Sequence, residues 1–102
     1  MTTSRKPAHR LVDTPELVMG EWSLTKAAWT DRHQHIEVNY VLDGELHVSF
    51  DGVTHVAGPG EAITVPAGSL GRYAAPEYAR MLFVYGPSID GHAATDTLYE
   101  EL

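Results

Sequence analysis

Cysteine is missing from this chain: none of its 102 residues is a cysteine. Disulfide bonds and thiolate catalysis are therefore excluded, and any metal site must use nitrogen and oxygen ligands from histidine and carboxylate side chains. Long apolar runs are missing as well. The N-terminus MTTSRKPAHR has no apolar segment of signal-peptide length, and nowhere do about 18 apolar residues follow one another. We therefore expect a soluble, cytoplasmic protein.

Basic residues are scarce. Seven lysines and arginines stand against 14 aspartates and glutamates, which gives a formal net charge of −7. Such a chain repels nucleic-acid phosphates and anionic lipid surfaces, so we expect neither a nucleic-acid nor a membrane partner. Glycine-rich phosphate cradles and the nucleophile elbow of serine hydrolases are absent from the sequence too. Nucleotide-binding and serine-hydrolase interpretations therefore have no motif to support them.

The residues that are present predict one small all-β domain. Short β-branched and aromatic runs, broken by glycine or proline roughly every eight to twelve residues, are typical of a sandwich or barrel. We predict a flexible N-terminal segment over residues 1–15, a barrel over 16–90 and a polar tail over 91–102, whose end forms a short helix or an edge strand. The predicted strands cover residues 17–19, 21–28, 37–42, 45–50, 53–57, 62–65, 71–74 and 80–85.

Asp43-Gly44 lies between two of these strands and predicts a two-residue type I′ hairpin, because both positions of that turn need a positive φ. In this hairpin Tyr40 and His47 face one another and point away from the apolar face. Cross-strand partners share a face, and the alternation continues backwards along the chain. The residues that it places on the apolar face are Asp31, His33, His35, Glu37, Asn39, Val41, Leu46, Val48 and Phe50.

The stretch DRHQHIE, residues 31–37, therefore brings polar side chains to an apolar face. A carboxylate and two imidazoles there would each be costly unless they were paired, hydrogen-bonded or bound to a cation. The pattern predicts a polar-lined cavity inside the barrel, with His33, His35 and Glu37 as candidate metal ligands. In the alternative interpretation the strand begins near Glu37, and the two histidines lie in a solvated entry loop.

The segment VNYVLDGEL resembles the first motif of the cupin superfamily, which consists of small barrels with a double-stranded β-helix, or jelly-roll, fold. Glu37 and Gly44 stand at the spacing of that motif's glutamate and turn glycine. This register puts the second histidine of the motif on His33 and the first on Asp31. A second register takes His33 and His35 as the histidine pair, but it leaves too few residues before the turn glycine.

The segment GPGEAITVPAG resembles the second cupin motif. Gly60, Pro66 and Gly68 match its glycine, proline and glycine. Gly71 stands where the family has its metal-binding histidine, and Ala75 stands where it has an asparagine. The resemblance therefore implies a cupin barrel in which one usual metal ligand is replaced.

The resemblance implies a metal-dependent enzyme that acts on a small organic molecule in the barrel cavity, by dioxygenase-, isomerase- or lyase-type chemistry. Its ligands would be His33, His35 and Glu37, and they would hold a divalent transition metal such as Fe, Mn, Ni or Zn. They converge only if the strand bulges or bends. Tyr73 and Glu37 are the candidate catalytic residues, Tyr73 as a hydrogen-bond donor or general acid. In the alternative interpretation Tyr73, which would share a face with Gly71, simply fills the space beside it.

Gly71 also leaves two metal-free interpretations open. One is a small-molecule-binding or sensory module that reads its ligand by hydrogen bonds, and the other is an isomerase or cyclase with Glu37 or a histidine as base. His55 or His92 could arrive from elsewhere in the fold as a further ligand. We also expect a homodimer, because open sheet edges need covering. The outward residues Tyr40 and His47 are candidates for that contact.

Overall fold

The computed structural model describes residues 9–87 and 94–102. In these residues the chain forms eight β-strands and no helix, which confirms the all-β prediction. No helix that could cross a membrane is found in this part of the chain. The strands are β1 (His9–Asp13), β2 (Val18–Arg32), β3 (Ile36–Gly44), β4 (Leu46–Phe50), β5 (Val53–Ala57), β6 (Ala62–Val65), β7 (Leu70–Gly86) and β8 (Thr95–Glu101).

The two long strands β2 and β7 organise the barrel. They are antiparallel neighbours over almost their whole length, and both bend near the middle. Lys26, with a φ of 48°, lies at the bulge in β2, where the pairing register shifts. On one side of the bend β1 pairs with β2, β3 with β7, and β6 with β3, which forms the first sheet. On the other side β8 pairs with β2, β4 with β7, and β5 with β4, which forms the second sheet.

The sequence pattern predicts two strands in place of each long one. It puts a break at Gly20 in β2 and another at the stretch APEYA, residues 75–79, in β7. Both strands continue through these positions. A bulge bends a strand and increases its twist without ending it, and this is how one strand serves two sheets.

The predicted Asp43-Gly44 hairpin is wrong. β3 and β4 do not pair with one another; each pairs with a different part of β7. Gly44 has a φ of +79°, but Asp43 does not have the positive φ that a type I′ turn needs. Here the glycine turns the chain from the first sheet into the second, and the Glu45 amide donates a hydrogen bond of 2.9 Å to the Tyr78 carbonyl.

A second Asp-Gly pair, Asp51-Gly52, forms a tight hairpin. Asp51 and Gly52 have φ values of 52° and 79°, and Phe50 pairs with Val53 across them. This two-residue connection between β4 and β5 has the backbone that Asp-Gly favours. Asp43-Gly44 and Asp51-Gly52 are the same dipeptide, so the dipeptide alone does not decide which of them closes a hairpin.

The sheet extends past the predicted barrel limits at both ends. β1 and β8 both pair with β2, outside the predicted limits of residues 16–90. Of the two predictions for the end of the tail, the edge strand is confirmed. Both strands are rich in polar residues, so the alternation of apolar side chains that marks a half-buried strand is weak in them.

The predicted alternation of faces is confirmed even though the hairpin is not. Along β3 and β4, Glu37, Asn39, Val41, Leu46 and Val48 are buried, while their neighbours are exposed or half-buried. The period of two depends only on the extended backbone and survives the change of partner. These side chains face the interior between the two sheets. The other core residues that fill it are Val18, Trp22, Leu24, Ala27, Ala57, Ile63, Val65, Tyr73, Ala75, Ala79, Met81 and Phe83.

Candidate functional site

A cavity of about 250 Å³ lies between the two sheets. Aromatic rings form much of its wall, and a cluster of charged side chains lies among them. Trp22 and Trp29 are the two tryptophans of the chain, and both line the cavity. The lining residues are Arg10, Trp22, Trp29, Asp31, His33, Glu37, Phe83 and Tyr85.

His33 lies between two carboxylates. Its Nε2 atom is 3.0 Å from Asp31 Oδ2 and 3.0 Å from Glu37 Oε1. Since ionised carboxylates only accept hydrogen bonds, Nε2 must carry the shared proton. Trp29 Nε1 donates to the same Asp31 oxygen over 2.7 Å. Asp31 and Glu37 are each only 6% exposed, so these charges interact with little screening from water.

Glu37 is held from its other side by a second buried network. Asn39 Nδ2 donates to Glu37 Oε2 over 3.0 Å, and Trp22 Nε1 donates to Asn39 Oδ1 over 2.8 Å. Asn39 is 0% exposed. The hydroxyl of Tyr73 also forms a hydrogen bond with Glu37. These donors are matched to acceptors, which keeps this second network from being costly. In the neighbouring cluster Asp31 Oδ1 and His33 Nδ1 are buried and have no hydrogen-bond partner among the described residues.

The surroundings fix the protonation of these groups. Burial disfavours the charged form of His33, but the hydrogen bonds to Asp31 and Glu37 outweigh it and raise the pKa of His33 from 6.5 to about 10. Burial raises the pKa of Tyr73 far above its usual range, and the negative charges of Glu37 and Asp31 raise it further. At neutral pH His33 is therefore a cation, and Tyr73 is a neutral hydrogen-bond donor.

Gly71 stands where the cupin motif has its histidine, and Tyr73 lies directly beside it. A Cβ atom added to Gly71 would lie 3.3 Å from the hydroxyl of Tyr73 and 3.3 Å from its Cε1 atom. The tyrosine ring thus covers the side of Gly71 from which a larger side chain would project. As predicted, the two residues share a face, and the space beside the glycine is filled by Tyr73.

His35 is buried but belongs to a different set of contacts. Its ring stacks on Tyr85 with centroids 4.1 Å apart and planes at 8°. Burial lowers the pKa of His35, and the positive charge of His33 lowers it further. The side chain is therefore a neutral imidazole that packs as an aromatic ring at the side of the cluster.

The predicted ligand set of His33, His35 and Glu37 does not fit a metal ion in this arrangement. The two imidazoles stack, with centroids 4.5 Å apart and planes at 30°, so their in-plane lone pairs run side by side instead of converging. In residues 9–87 and 94–102, no three His, Asp or Glu side chains are arranged to hold a metal. Metal binding by the protein stays a prediction.

Other sequence-predicted residues lie away from the cluster. His55 is exposed and stacks on Phe50, with ring centroids 4.9 Å apart. His47 lies on the outward face, where its Nε2 is 2.8 Å from Glu45 Oε1. Tyr40 is exposed, as the dimer prediction requires, and the dimer itself stays a prediction. His92 lies outside the described residues.

Sequence reasoning missed Arg10. Its guanidinium lines the cavity, where Nη1 lies 3.1 Å from Asp13 Oδ2 and Nη2 lies 3.4 Å from the Tyr85 hydroxyl. A polar N-terminal stretch with a basic residue is typical of a solvated tail. Arg10 reaches the cavity because β1 pairs with β2.

Comparison with known proteins identifies the family. The sequence model of the family described as "Ethanolamine utilisation protein EutQ" matches residues 8–89. The chain belongs to the EutQ family. A relative named "Acetate kinase EutQ", from Clostridioides difficile, is 31% identical over 83 residues, which are 81% of this chain and 53% of the relative. This EutQ-family chain thus spans about half the length of that relative.

Solved structures agree with the family and the fold. The structure of the Clostridium difficile EutQ protein is similar to this chain with a TM-score of 0.73 at 30% identity, covering 79% of this chain and 67% of that one. An RmlC-like cupin from Shewanella frigidimarina has a TM-score of 0.75 at 26% identity, covering 85% of this chain and 79% of that one. The EutQ-family chain is a cupin, which confirms the resemblance seen in its sequence.

Proposed function

We propose that the barrel cavity is a metal-free binding site for a small organic molecule. The observation that carries the proposal is the position of His33 Nε2, 3.0 Å from both Asp31 and Glu37. The imidazolium supplies the positive charge that these carboxylates require, and in metal-binding cupins that charge comes from the ion. A metal would have to displace the His33 proton, because only a neutral imidazole is a ligand.

Binding is better supported than proton-transfer catalysis. An efficient general acid or base has a pKa near the working pH. The hydrogen bonds from His33 to the two carboxylates hold its pKa at about 10, and burial takes the pKa of Tyr73 higher still. Both groups keep their protons at neutral pH, so they suit recognition by hydrogen bonding. The predicted catalytic role of Tyr73 would need a ligand that lowers the pKa of its hydroxyl, and the catalytic role of Glu37 stays a prediction.

The size and lining of the cavity indicate the scale of the ligand. A cavity of about 150 Å³ holds benzene, so a volume of about 250 Å³ accommodates a molecule of roughly ten heavy atoms or fewer. The C. difficile relative carries the name acetate kinase, and acetate fits within this volume. Since this chain spans about half of that relative, acetate is a compound to test here.

Tryptophan fluorescence tests the proposal directly, because both tryptophans line the cavity. EDTA-treated protein is titrated with acids, alcohols and amines of two or three carbons, acetate included. We expect at least one compound to give a saturable change, with the same Kd before and after incubation with Fe, Mn, Ni or Zn. Glu37→Gln should weaken binding about tenfold, the effect of losing one charged hydrogen bond.

The matched control is Glu45→Gln, which removes a carboxylate that contacts a histidine on the outer face. It should leave the Kd unchanged. A response that appears only after metal loading, or a stoichiometric metal that is lost in Glu37→Gln, would contradict the proposal. So would the absence of saturable binding by every compound.

A further inference from the structure

The charged side chains that line the cavity already have partners within the protein. Two of the lining residues are acidic and two are basic. His33 Nε2 lies 3.0 Å from both Asp31 Oδ2 and Glu37 Oε1, and Arg10 Nη1 lies 3.1 Å from an aspartate of its own strand. A charged ligand would give up its hydration without gaining an unpaired charge in return, which is costly. The lining therefore favours a neutral molecule.

The tryptophans of the cavity have no polar group left for a ligand. The indole N–H of Trp22 donates to Asn39 Oδ1 over 2.8 Å, and that of Trp29 donates to Asp31 Oδ2 over 2.7 Å. The N–H is the only hydrogen-bonding group of an indole. Both side chains are thus fixed by their polar edges, and what they present to the cavity is the hydrocarbon part of their rings.

The other rings at the cavity are held in place as well. Phe83 and Tyr85 lie on one face of β7 with ring centroids 5.8 Å apart and planes at 14°. Trp22 meets Tyr73 edge to face, with centroids 5.7 Å apart and planes at 75°. Aromatic rings attract one another in such offset and edge-to-face arrangements. Since these rings are already positioned, a further ring can join them at little cost of ordering.

The volume of the cavity suits one ring. An apolar cavity of about 150 Å³ holds benzene, so about 250 Å³ leaves room for a ring and a small substituent. The side chain of Arg10 is half-exposed and lines the cavity, so it marks the open end. Its Nη2 lies 3.4 Å from the Tyr85 hydroxyl there. This end is the place for a polar substituent.

We infer that the ligand of this cavity is a neutral molecule with a single aromatic ring and one small polar substituent, and the inference rests on the proposed function. The ring packs among Trp22, Trp29 and Phe83, and the substituent lies at the open end beside Arg10. A saturated ring of the same size fills the same volume, but it lacks the edge-to-face and stacking attraction of an aromatic ring.

Four probes of nearly equal size separate aromaticity from charge. Wild-type protein is titrated with benzyl alcohol, cyclohexylmethanol, benzylammonium chloride and sodium benzoate at constant ionic strength. The signals are tryptophan fluorescence and the indole N–H resonances, since both tryptophans line the cavity. We expect the Kd of benzyl alcohol to be about tenfold lower than that of cyclohexylmethanol, the effect of one favourable ring pair. The two charged probes should bind at least about tenfold more weakly than benzyl alcohol.

The comparison with cyclohexylmethanol is demanding because that probe is the more apolar of the two alcohols. A cavity that selected by hydrophobicity alone would bind it at least as tightly as benzyl alcohol. The Phe83→Leu variant keeps an apolar side chain but removes a ring, and it should reduce the preference for benzyl alcohol about threefold. Phe50→Leu is the matched control, because Phe50 is the other phenylalanine of the chain and stacks on His55 outside the cavity lining. It should leave the preference unchanged.

The wild-type comparison decides the question even if Phe83→Leu fails to fold. Equal or tighter binding of cyclohexylmethanol, benzylammonium or benzoate would overturn the assignment of a neutral aromatic ligand and leave the proposed binding function intact. Saturation by a compound of two or three carbons but by none of the four ring probes would do the same. Saturation by no compound of either set would overturn both.

Discussion

Replacement of His33 by alanine is expected to lower the free energy of unfolding by about 3 kcal/mol at neutral pH, the cost of removing one partner from a buried charge pair. The variant leaves Asp31 and Glu37 without the imidazolium that lies 3.0 Å from each of them. Urea denaturation followed by tryptophan fluorescence measures the loss. His47→Ala is the matched control, because His47 contacts a single, exposed carboxylate, and it should cost less than about 0.5 kcal/mol.

The pH dependence of this loss has a definite sign. The folded-state pKa of His33 is raised to about 10 from 6.5, so its stabilising contribution is complete below pH 6.5 and is lost as the pH rises through about 10. The stability gap between wild type and His33→Ala should therefore narrow progressively from about pH 6.5 upwards and be small by about pH 10. A loss no greater than that of His47→Ala, or a gap that does not narrow, would contradict the assignment of His33 as the cation of the cluster.

Gly44→Ala is expected to cost at least about 3 kcal/mol, because it combines an unfavourable φ with a backbone collision. Gly44 has a φ of +79°, and an added Cβ would collide with the carbonyl group of Tyr78. That carbonyl accepts the hydrogen bond from the Glu45 amide at the corner between the two sheets. Relief of the collision would move β7 or β3, and β3 is the strand that carries Glu37.

Gly52→Ala separates the two effects, since Gly52 has the same φ of +79° and an added Cβ there would meet nothing within 4 Å. It should cost only about 1 kcal/mol, the penalty of the left-handed backbone alone. Chemical denaturation of the two variants side by side is the measurement. Equal losses in both would mean that the corner at Gly44 is not closely packed.

The fold class was readable from the sequence because it depends on local rules. Alternation with a period of two placed Glu37, Asn39 and Val41 on the buried face, and this needs only an extended backbone. Strand partners could not be read in the same way. Asp43-Gly44 and Asp51-Gly52 are locally identical, and only the packing of β7 against Gly44 decides which of them forms the hairpin.

The candidate site was predicted in part. The stretch at residues 31–37 does bring Asp31, His33 and Glu37 into one cluster, and Tyr73 joins it as the shared face with Gly71 implied. The role of His35 was not readable, because whether two imidazoles converge or stack depends on rotamers that Tyr85 selects from another strand. Arg10 reaches the cavity because β1 pairs with β2. The polar sequence of β1 does not predict this pairing.

The metal-free site depends most on the protonation state of His33. The direct test is nitrogen-15 NMR of the histidine side chains in EDTA-treated protein at pH 8, with the His33 signals assigned from a His33→Gln spectrum. Since the pKa of His33 is about 10, we predict that both of its ring nitrogens carry protons at this pH. A neutral His33 with one protonated nitrogen, or a His33 signal that changes when a stoichiometric metal is returned, would contradict the metal-free site.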